Sequence, residues 1–253
     1  MASSSAQLPR LSRRAALAAF AAFAAAPARA AGGTLYLTID TGWMSEAELI
    51  AEALAERRIR ATLFLADERT FRGDTCLSDS WAGFWRARVA EGHAFGSHTM
   101  RHWYFRGDPA PDRVTYQSYD RRQTTTLTES AFCAELRAPE ARLQAMTGRG
   151  FDPVWRAPGG RTTPNALRFA QACGFRHVGW SEAGFLGDEL PSDRYPNSLL
   201  LRRALANIRD GDILMLHWGI RSRAEKFGLV VPALLDGLLA KGFTFATLPG
   251  TTA

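Results

Sequence analysis

Cysteine is scarce in this chain, three in 253 residues. That is too few for a disulfide-built scaffold, so the fold must come from a hydrophobic core. A chain of this length can build one as a single α/β domain. There is no internal repeat, no low-complexity tract after residue 31 and no linker that would separate two domains. The apolar stretch 15–26 stops short of the roughly 20 residues a spanning helix needs. No basic run follows the first thirty residues: of the formal charge of +6, Arg10, Arg13, Arg14 and Arg29 lie in that acid-free segment, and the remainder carries only +2. Nucleic-acid binding is therefore not indicated. No phosphate-binding glycine-rich loop is present, so no nucleotide cofactor is implied. Neither Ser97 nor Ser181 sits in a Gly-x-Ser-x-Gly elbow, which weakens a serine-hydrolase reading built on His217.

The N-terminus reads as an address. Ser12-Arg13-Arg14-x-x-Leu17, the apolar stretch and Ala28-Arg29-Ala30 resemble a twin-arginine export signal ending in a small-x-small cleavage site. The expected boundaries are a signal peptide over 1–30 and a mature domain over 31–253, periplasmic or secreted and without stable membrane insertion. Twin-arginine export carries folded chains, so the core should close without a disulfide. If a bridge forms after export, Cys76–Cys133 is the expected pair, because both lie in loop-rich or peripheral stretches. Cys173 falls in the apolar pattern Ala166, Phe169, Ala170, Cys173 and reads as a buried thiol.

Seven short apolar runs recur, at 34–40, 61–66, 94–98, 154–157, 177–181, 212–218 and 243–248. Helical patterns at 45–57, 81–90, 129–146, 164–173, 199–208 and 230–239 lie between most of them, with Ser45 a candidate cap and Gly174 and Gly242 at expected C-terminal stops. This alternation predicts parallel strands, and seven runs predict a closed or nearly closed barrel. The polar section 103–128, with Pro109 and Pro111, reads as a long loop beside the active face.

Ionisable residues end four of the runs: Asp40, His98, Arg156 and His217. In a parallel barrel the C-terminal strand ends share the catalytic face, so these groups are expected to converge. His98-Thr-Met-Arg-His102 places two imidazoles four residues apart, which a helical turn would aim at one metal ion. Asp40 beside a metal-bound water is a candidate general base. Arg156 could hold Asp40 in a bidentate pair. His217 is a candidate general acid. Trp43, Trp103 and Trp218 adjoin these segments and are candidates for stacking on sugar faces.

In this order the segments resemble the polysaccharide deacetylase family, also known as the NodB-homology domain or carbohydrate esterase family 4. Leu37-Thr-Ile-Asp-Thr-Gly42 is similar to its first motif, Ala61-Thr-Leu-Phe-Leu65 to a strand motif, and His98-Thr-Met-Arg-His102 to its metal motif. Arg156-Ala-Pro-Gly-Gly160 is similar to the third motif and Ile213-Leu-Met-Leu-His217 to the fifth. The resemblance implies a distorted (β/α)7 barrel of one domain and a metal-dependent N-deacetylase acting on an N-acetylated glycan, peptidoglycan or an extracellular polysaccharide. It implies a divalent ion, zinc or similar, on His98 and His102. Asp40 would be the base, Arg156 would orient it, and His217 would be the acid. Three features depart from the pattern. Thr41 stands where the family has a ligating Asp, and Gly159 where it has an aromatic, leaving a backbone N–H for an oxyanion. The fourth motif, around Trp180, is blurred, with Glu182 or Asp188 as candidate tethers for Arg156. Together they motivate an alternative: a carbohydrate-binding pseudoenzyme that has lost full metal ligation.

Overall fold

The computed structural model describes Met1 and residues 32–251. The twin-arginine-like segment and its cleavage site therefore lie outside the described residues.

The expected runs form one parallel sheet of seven strands: β1 (Thr34–Asp40), β2 (Thr62–Leu65), β3 (Ala94–Ser97), β7 (Val154–Trp155), β8 (Arg176–His177), β9 (Ile213–His217) and β10 (Thr244–Ala246). β1 is the hub: it pairs with β10 along 34–36, with β9 along 36–40 and with β2 along 38–40, and the sheet continues through β3 and β7 to β8. The barrel is incomplete between β8 and β9. That gap is spanned by an isolated Phe185–Met215 bridge and by Ser181, whose N–H donates to Ile213 O while its hydroxyl accepts from Ile213 N.

Helices cover the sheet: α1 (Ala47–Glu56), α2 (Ala82–Ala90), α3 (Glu129–Thr147), α4 (Pro164–Ala172), α5 (Asn197–Asn207) and α6 (Val231–Ala240). Thr128 and Thr163 cap α3 and α4 by accepting from Ala131 N and Ala166 N, and Gly148 closes α3 in the left-handed region. Ser45 is not the cap of α1; Glu46 holds that position without a side-chain bond. Leu35, Leu37 and Ile39 on one face of β1 are buried in one cluster with Ile50 and Leu54 of α1 and Leu234 and Leu238 of α6. The other face of β1 carries Tyr36, Thr38 and Asp40, because side chains alternate along a strand.

Segment 103–128 is not a loop. It forms an antiparallel sheet of β4 (Tyr104–Ala110), β5 (Arg113–Gln117) and β6 (Thr124–Leu127). Phe105, Val114, Tyr116 and Leu127 are its buried face and pack with Phe132, Trp155 and Phe169. The polar residues between them face outward, and Pro109 and Pro111 lie near the β4–β5 turn, where a missing ladder donor costs least.

The cysteine expectations also fail. Cys133 on α3 is bonded to Cys173 at the C-terminal end of α4, and Cys76 is the free thiol. The packing of α3 on α4 decides this pairing. Cys76 is fully buried, donates to Ala66 O at 2.7 Å and accepts from Glu68 N at 3.3 Å.

Candidate active site

Strand register assembles the site. Asp40 pairs directly with His217 on β9 and with Phe64 on β2, which in turn pairs with Gly96 on β3. His98 and Arg156 follow Gly96 and Val154 by two residues and so lie on the same inward face. The four strand-end residues therefore converge.

Asp40 and Arg156 are 2% and 0% exposed. Arg156 Nη1 donates to Asp40 Oδ1 at 2.8 Å, and its other nitrogens donate to Val178 O and Gly179 O at 3.2 and 2.9 Å. Its guanidinium also lies over the Phe64 ring, 4.4 Å from the centroid. One guanidinium nitrogen, not the expected bidentate fork, thus reaches the carboxylate. Backbone carbonyls hold the rest, and neither Glu182 nor Asp188 tethers it. Burial favours a neutral Asp40, but the Arg156 charge overrides it and holds the carboxyl below the ordinary carboxylate range.

The histidine pair is brought together by strain, not by the expected helical turn. Thr99 and His102 both take positive φ, 66° and 52°. For a β-branched threonine this conformation is an outlier that the surroundings must enforce. Glu135 on α3 does so: its backbone O accepts from Met100 N, and its carboxylate accepts from Arg101 N at 2.7 Å. The Tyr116 hydroxyl sits 2.9 Å from Thr99 Oγ1 and 3.0 Å from Glu135 Oε1. The folded-back loop sets His98 Nε2 and His102 Nε2 3.1 Å apart.

The fit of these residues to a divalent cation follows from proton placement. His98 Nδ1 lies 2.9 Å from Arg156 O, which can only accept, so Nδ1 carries the hydrogen and Nε2 a lone pair. Burial drives the His98 pKa down to about 4, keeping the ring neutral. His102 Nδ1 faces Glu68 Oε1 at 3.3 Å, an ion-pair contact that favours the same tautomer. Two lone pairs then oppose each other across a gap close to the ~3.3 Å edge of a tetrahedral zinc site. The pair suits a cation as a two-nitrogen bite. Among the described residues no group of three or more His, Cys, Asp or Glu is arranged as a complete metal site. Thr41 does not supply the missing ligand: its hydroxyl accepts from Ala66 N at 3.1 Å and donates to Glu68 Oε2 at 2.8 Å.

His217 is held by Asp188, whose Oδ2 accepts from His217 N at 2.7 Å and lies 3.1 Å from Nδ1. Burial opposes a charged imidazole, but Asp188, joined by Asp40 and Glu189, outweighs it and pushes the pKa up to about 10. Asp188 is thus a site residue with a partner the sequence did not indicate. Glu68 was missed altogether, although a carboxylate three residues past the end of β2 was the available signal.

The site opens into a groove of about 1190 Å³ lined by His102, His217, Trp43, Trp103, Tyr104 and Tyr119, among others. Trp218 takes no part. It is fully buried and packs edge-on against Phe84, since the residue after His217 points to the opposite face of β9. Gly159 lies in the turn Pro158–Gly160 with φ 61°, and a Cβ there would come 3.1 Å from the Tyr104 ring. Tyr104 therefore occupies space beside the position where the third motif lacks its aromatic. The two serines are structural: Ser97 Oγ donates to Leu136 O, and Ser181 bridges the barrel gap.

The chain matches the polysaccharide deacetylase family over residues 28–178. It belongs to that family. It is 25% identical over 227 residues to a chitooligosaccharide deacetylase of Azorhizobium caulinodans, covering 85% of this chain and 93% of that protein. Among solved structures it is similar to the Bc1960 peptidoglycan N-acetylglucosamine deacetylase (TM-score 0.64, 20% identity, 87% of each chain covered). It is also similar to a family 4 carbohydrate esterase pseudoenzyme from Bacillus anthracis (TM-score 0.61, 16% identity), of which it spans 64% while 86% of this chain is covered. These likenesses establish the curled (β/α)7-type fold in a single domain.

Proposed function

We propose that this deacetylase hydrolyses the N-acetyl amide of a sugar in peptidoglycan or an extracellular polysaccharide, using a divalent cation, zinc being the ion its nitrogen donors suit. The observation that carries the reading is the opposed protonation of two groups on paired strand ends. Asp40 is held ionised and His217 is held protonated. That is the assignment an amide hydrolase needs in a base and an acid.

His98 and His102 would hold the cation through their Nε2 atoms, and the chemistry it would supply there is Lewis-acid polarisation of the acetyl carbonyl. Asp40 Oδ1 is pinned by Arg156, so Oδ2 takes the proton of the attacking water. The Gly159 N–H is the assigned donor to the developing oxyanion. His217 Nε2, its other nitrogen engaged by Asp188, delivers a proton to the departing nitrogen. The products are acetate and a free amine. Trp43 and Trp103 line the groove as sugar-stacking surfaces, and Trp43 carries Arg221 4.8 Å from its ring centroid.

We place the protein outside the cytoplasm. The Cys133–Cys173 bridge supports this, since such bonds persist in oxidising compartments. No helix among the described residues is long and apolar enough to cross a membrane.

The test is acetate release by the zinc- or cobalt-loaded chain from N-acetylglucosamine oligomers and from peptidoglycan. Turnover on either supports the reading, and its absence on both refutes it. Thr41 favours one other reading, the pseudoenzyme, for which glycan binding without turnover is the expected result.

A further inference from the structure

The anionic ligand expected at position 41 is missing, yet the negative charge is present in the site. We infer that Glu68 is the carboxylate this chain uses in place of an acidic residue at 41, fixing His102 through its Nδ1–H and supplying the charge that a two-histidine cation site lacks. The inference rests on the metal-dependent reading above and deepens it.

Three observations carry it. Both Glu68 oxygens are committed to the site: Oε2 accepts from Thr41 Oγ1 at 2.8 Å and Oε1 faces His102 Nδ1 at 3.3 Å. Thr41 therefore acts as a tether that aims Glu68, a task a hydroxyl performs and a carboxylate could not. The backbone of Glu68 is preset by the buried thiol of Cys76, which accepts from Glu68 N, while Cys76 N donates to Glu68 O at 2.9 Å. The two histidines are then oriented alike. Each has an acceptor beside Nδ1, Arg156 O hydrogen-bonded to His98 and Glu68 in ion-pair contact with His102, and the two Nε2 atoms face each other at 3.1 Å. A carboxylate on the far nitrogen of a ligating histidine fixes its tautomer and raises its basicity. Glu68 is thus a positioning residue, acting on a bound ion through His102.

This arrangement makes an unusual forecast. An Asp introduced at 41 would face Glu68 Oε2 at hydrogen-bond distance with no proton to share, so restoring the family residue alone should not restore affinity. The experiment is cobalt(II) titration of the purified chain, followed by visible absorption and by calorimetry, on wild type, Glu68→Gln, Thr41→Asp and the double variant. Glu68→Gln keeps the shape and removes the charge. It should weaken cobalt binding 10- to 100-fold, as loss of such outer partners does, and should alter the cobalt absorption bands. Thr41→Asp should gain nothing or weaken binding, while Thr41→Asp with Glu68→Gln should recover at least tenfold over Glu68→Gln alone. If wild type binds cobalt and Glu68→Gln binds it equally well, the role of Glu68 is overturned and the metal reading stands. If Thr41→Asp alone tightens binding tenfold or more, Glu68 does not replace the missing charge. If wild type binds neither cobalt nor zinc, the metal reading falls and this inference with it.

Discussion

Replacing Asp188 by Asn isolates the proton chemistry of His217 with little change of shape. Asp188 is 2% exposed and contacts both the backbone N–H and Nδ1 of His217 through Oδ2. An Asn oxygen can still accept from one of them, so position is largely kept while the charge is lost. In the wild type the imidazole pKa is pushed up to about 10, so the proton is in place throughout the neutral range. Without the carboxylate it should fall back toward ~6.5, burial then being opposed only by the Asp40 and Glu189 charges. At pH 8 that leaves roughly 3% of the imidazole protonated, and at pH 6 roughly three quarters. Acetate release should therefore drop ~30-fold at pH 8 and less than twofold at pH 6, with the alkaline limb of the kcat profile moving from near 10 to ~6.5. Stability should follow the same sign. A raised histidine pKa contributes fully below the free imidazole value and is lost as pH rises through about 10. Melting temperature should decline from pH 7 to pH 10 in the wild type and lose that component in the variant. An unchanged alkaline limb, or a loss of activity equal at pH 6 and pH 8, would refute the assignment of His217 as the acid.

Other expectations are as direct. Asp40→Asn should lower kcat by 10²–10⁴ while leaving cobalt affinity within a few-fold, and full retained activity would remove Asp40 as the base. Arg156→Met should strand a buried carboxylate, at ~3–5 kcal/mol. For a domain of this size that lowers the melting temperature by roughly 10 °C, and adding Asp40→Asn should recover part of it. Reducing the Cys133–Cys173 bridge opens a loop of sequence separation 40 and should destabilise the fold by about 4 kcal/mol, read as a melting shift with and without reductant. Tyr104→Ala should raise KM for oligomeric glycans with little effect on kcat if the ring is a groove wall, and an unchanged KM removes it from the substrate path.

The seven strands and the convergence at their ends were legible because both are periodic: an apolar run ending in an ionisable residue needs no knowledge of tertiary contacts. What was hidden depended on contacts between distant segments. The β4–β6 sheet was masked because only Phe105, Val114, Tyr116 and Leu127 face inward, and the Arg, Asp and Pro between them read as loop. Trp218 was misplaced through a sequence-adjacency argument, whereas neighbours in a strand occupy opposite faces. Disulfide connectivity is not written in spacing, and Cys133 meets Cys173 only because α3 packs on α4. Glu68 and Asp188 belong to loops; the Glu68 backbone is fixed by the Cys76 thiol, and the Asp188 side chain is fixed by the strand-end His217.

The buried charges bear on the proposed choice between hydrolysis and a binding-only role. A buried Arg–carboxylate pair is weak evidence of stability, since apolar residues of like volume often replace such a pair at no loss. Here Asp40, Arg156 and His98 lie at 2%, 0% and 1% exposure, two imidazole lone pairs oppose each other, and Thr99 sustains a left-handed backbone to keep them so. A fold that only gripped sugars through Trp43, Trp103 and Tyr104 would gain by relaxing the buried Asp40–Arg156 pair and the paired imidazoles, although His102 does pack edge-on against Tyr104. Two losses in the motifs have a neighbour from elsewhere in the chain close by: Glu68 beside Thr41 and Tyr104 beside Gly159. Erosion without function predicts vacancies at such positions. Occupied ones fit the proposed hydrolase, and the paired variants at 41 and 68 put that distinction to a measurement.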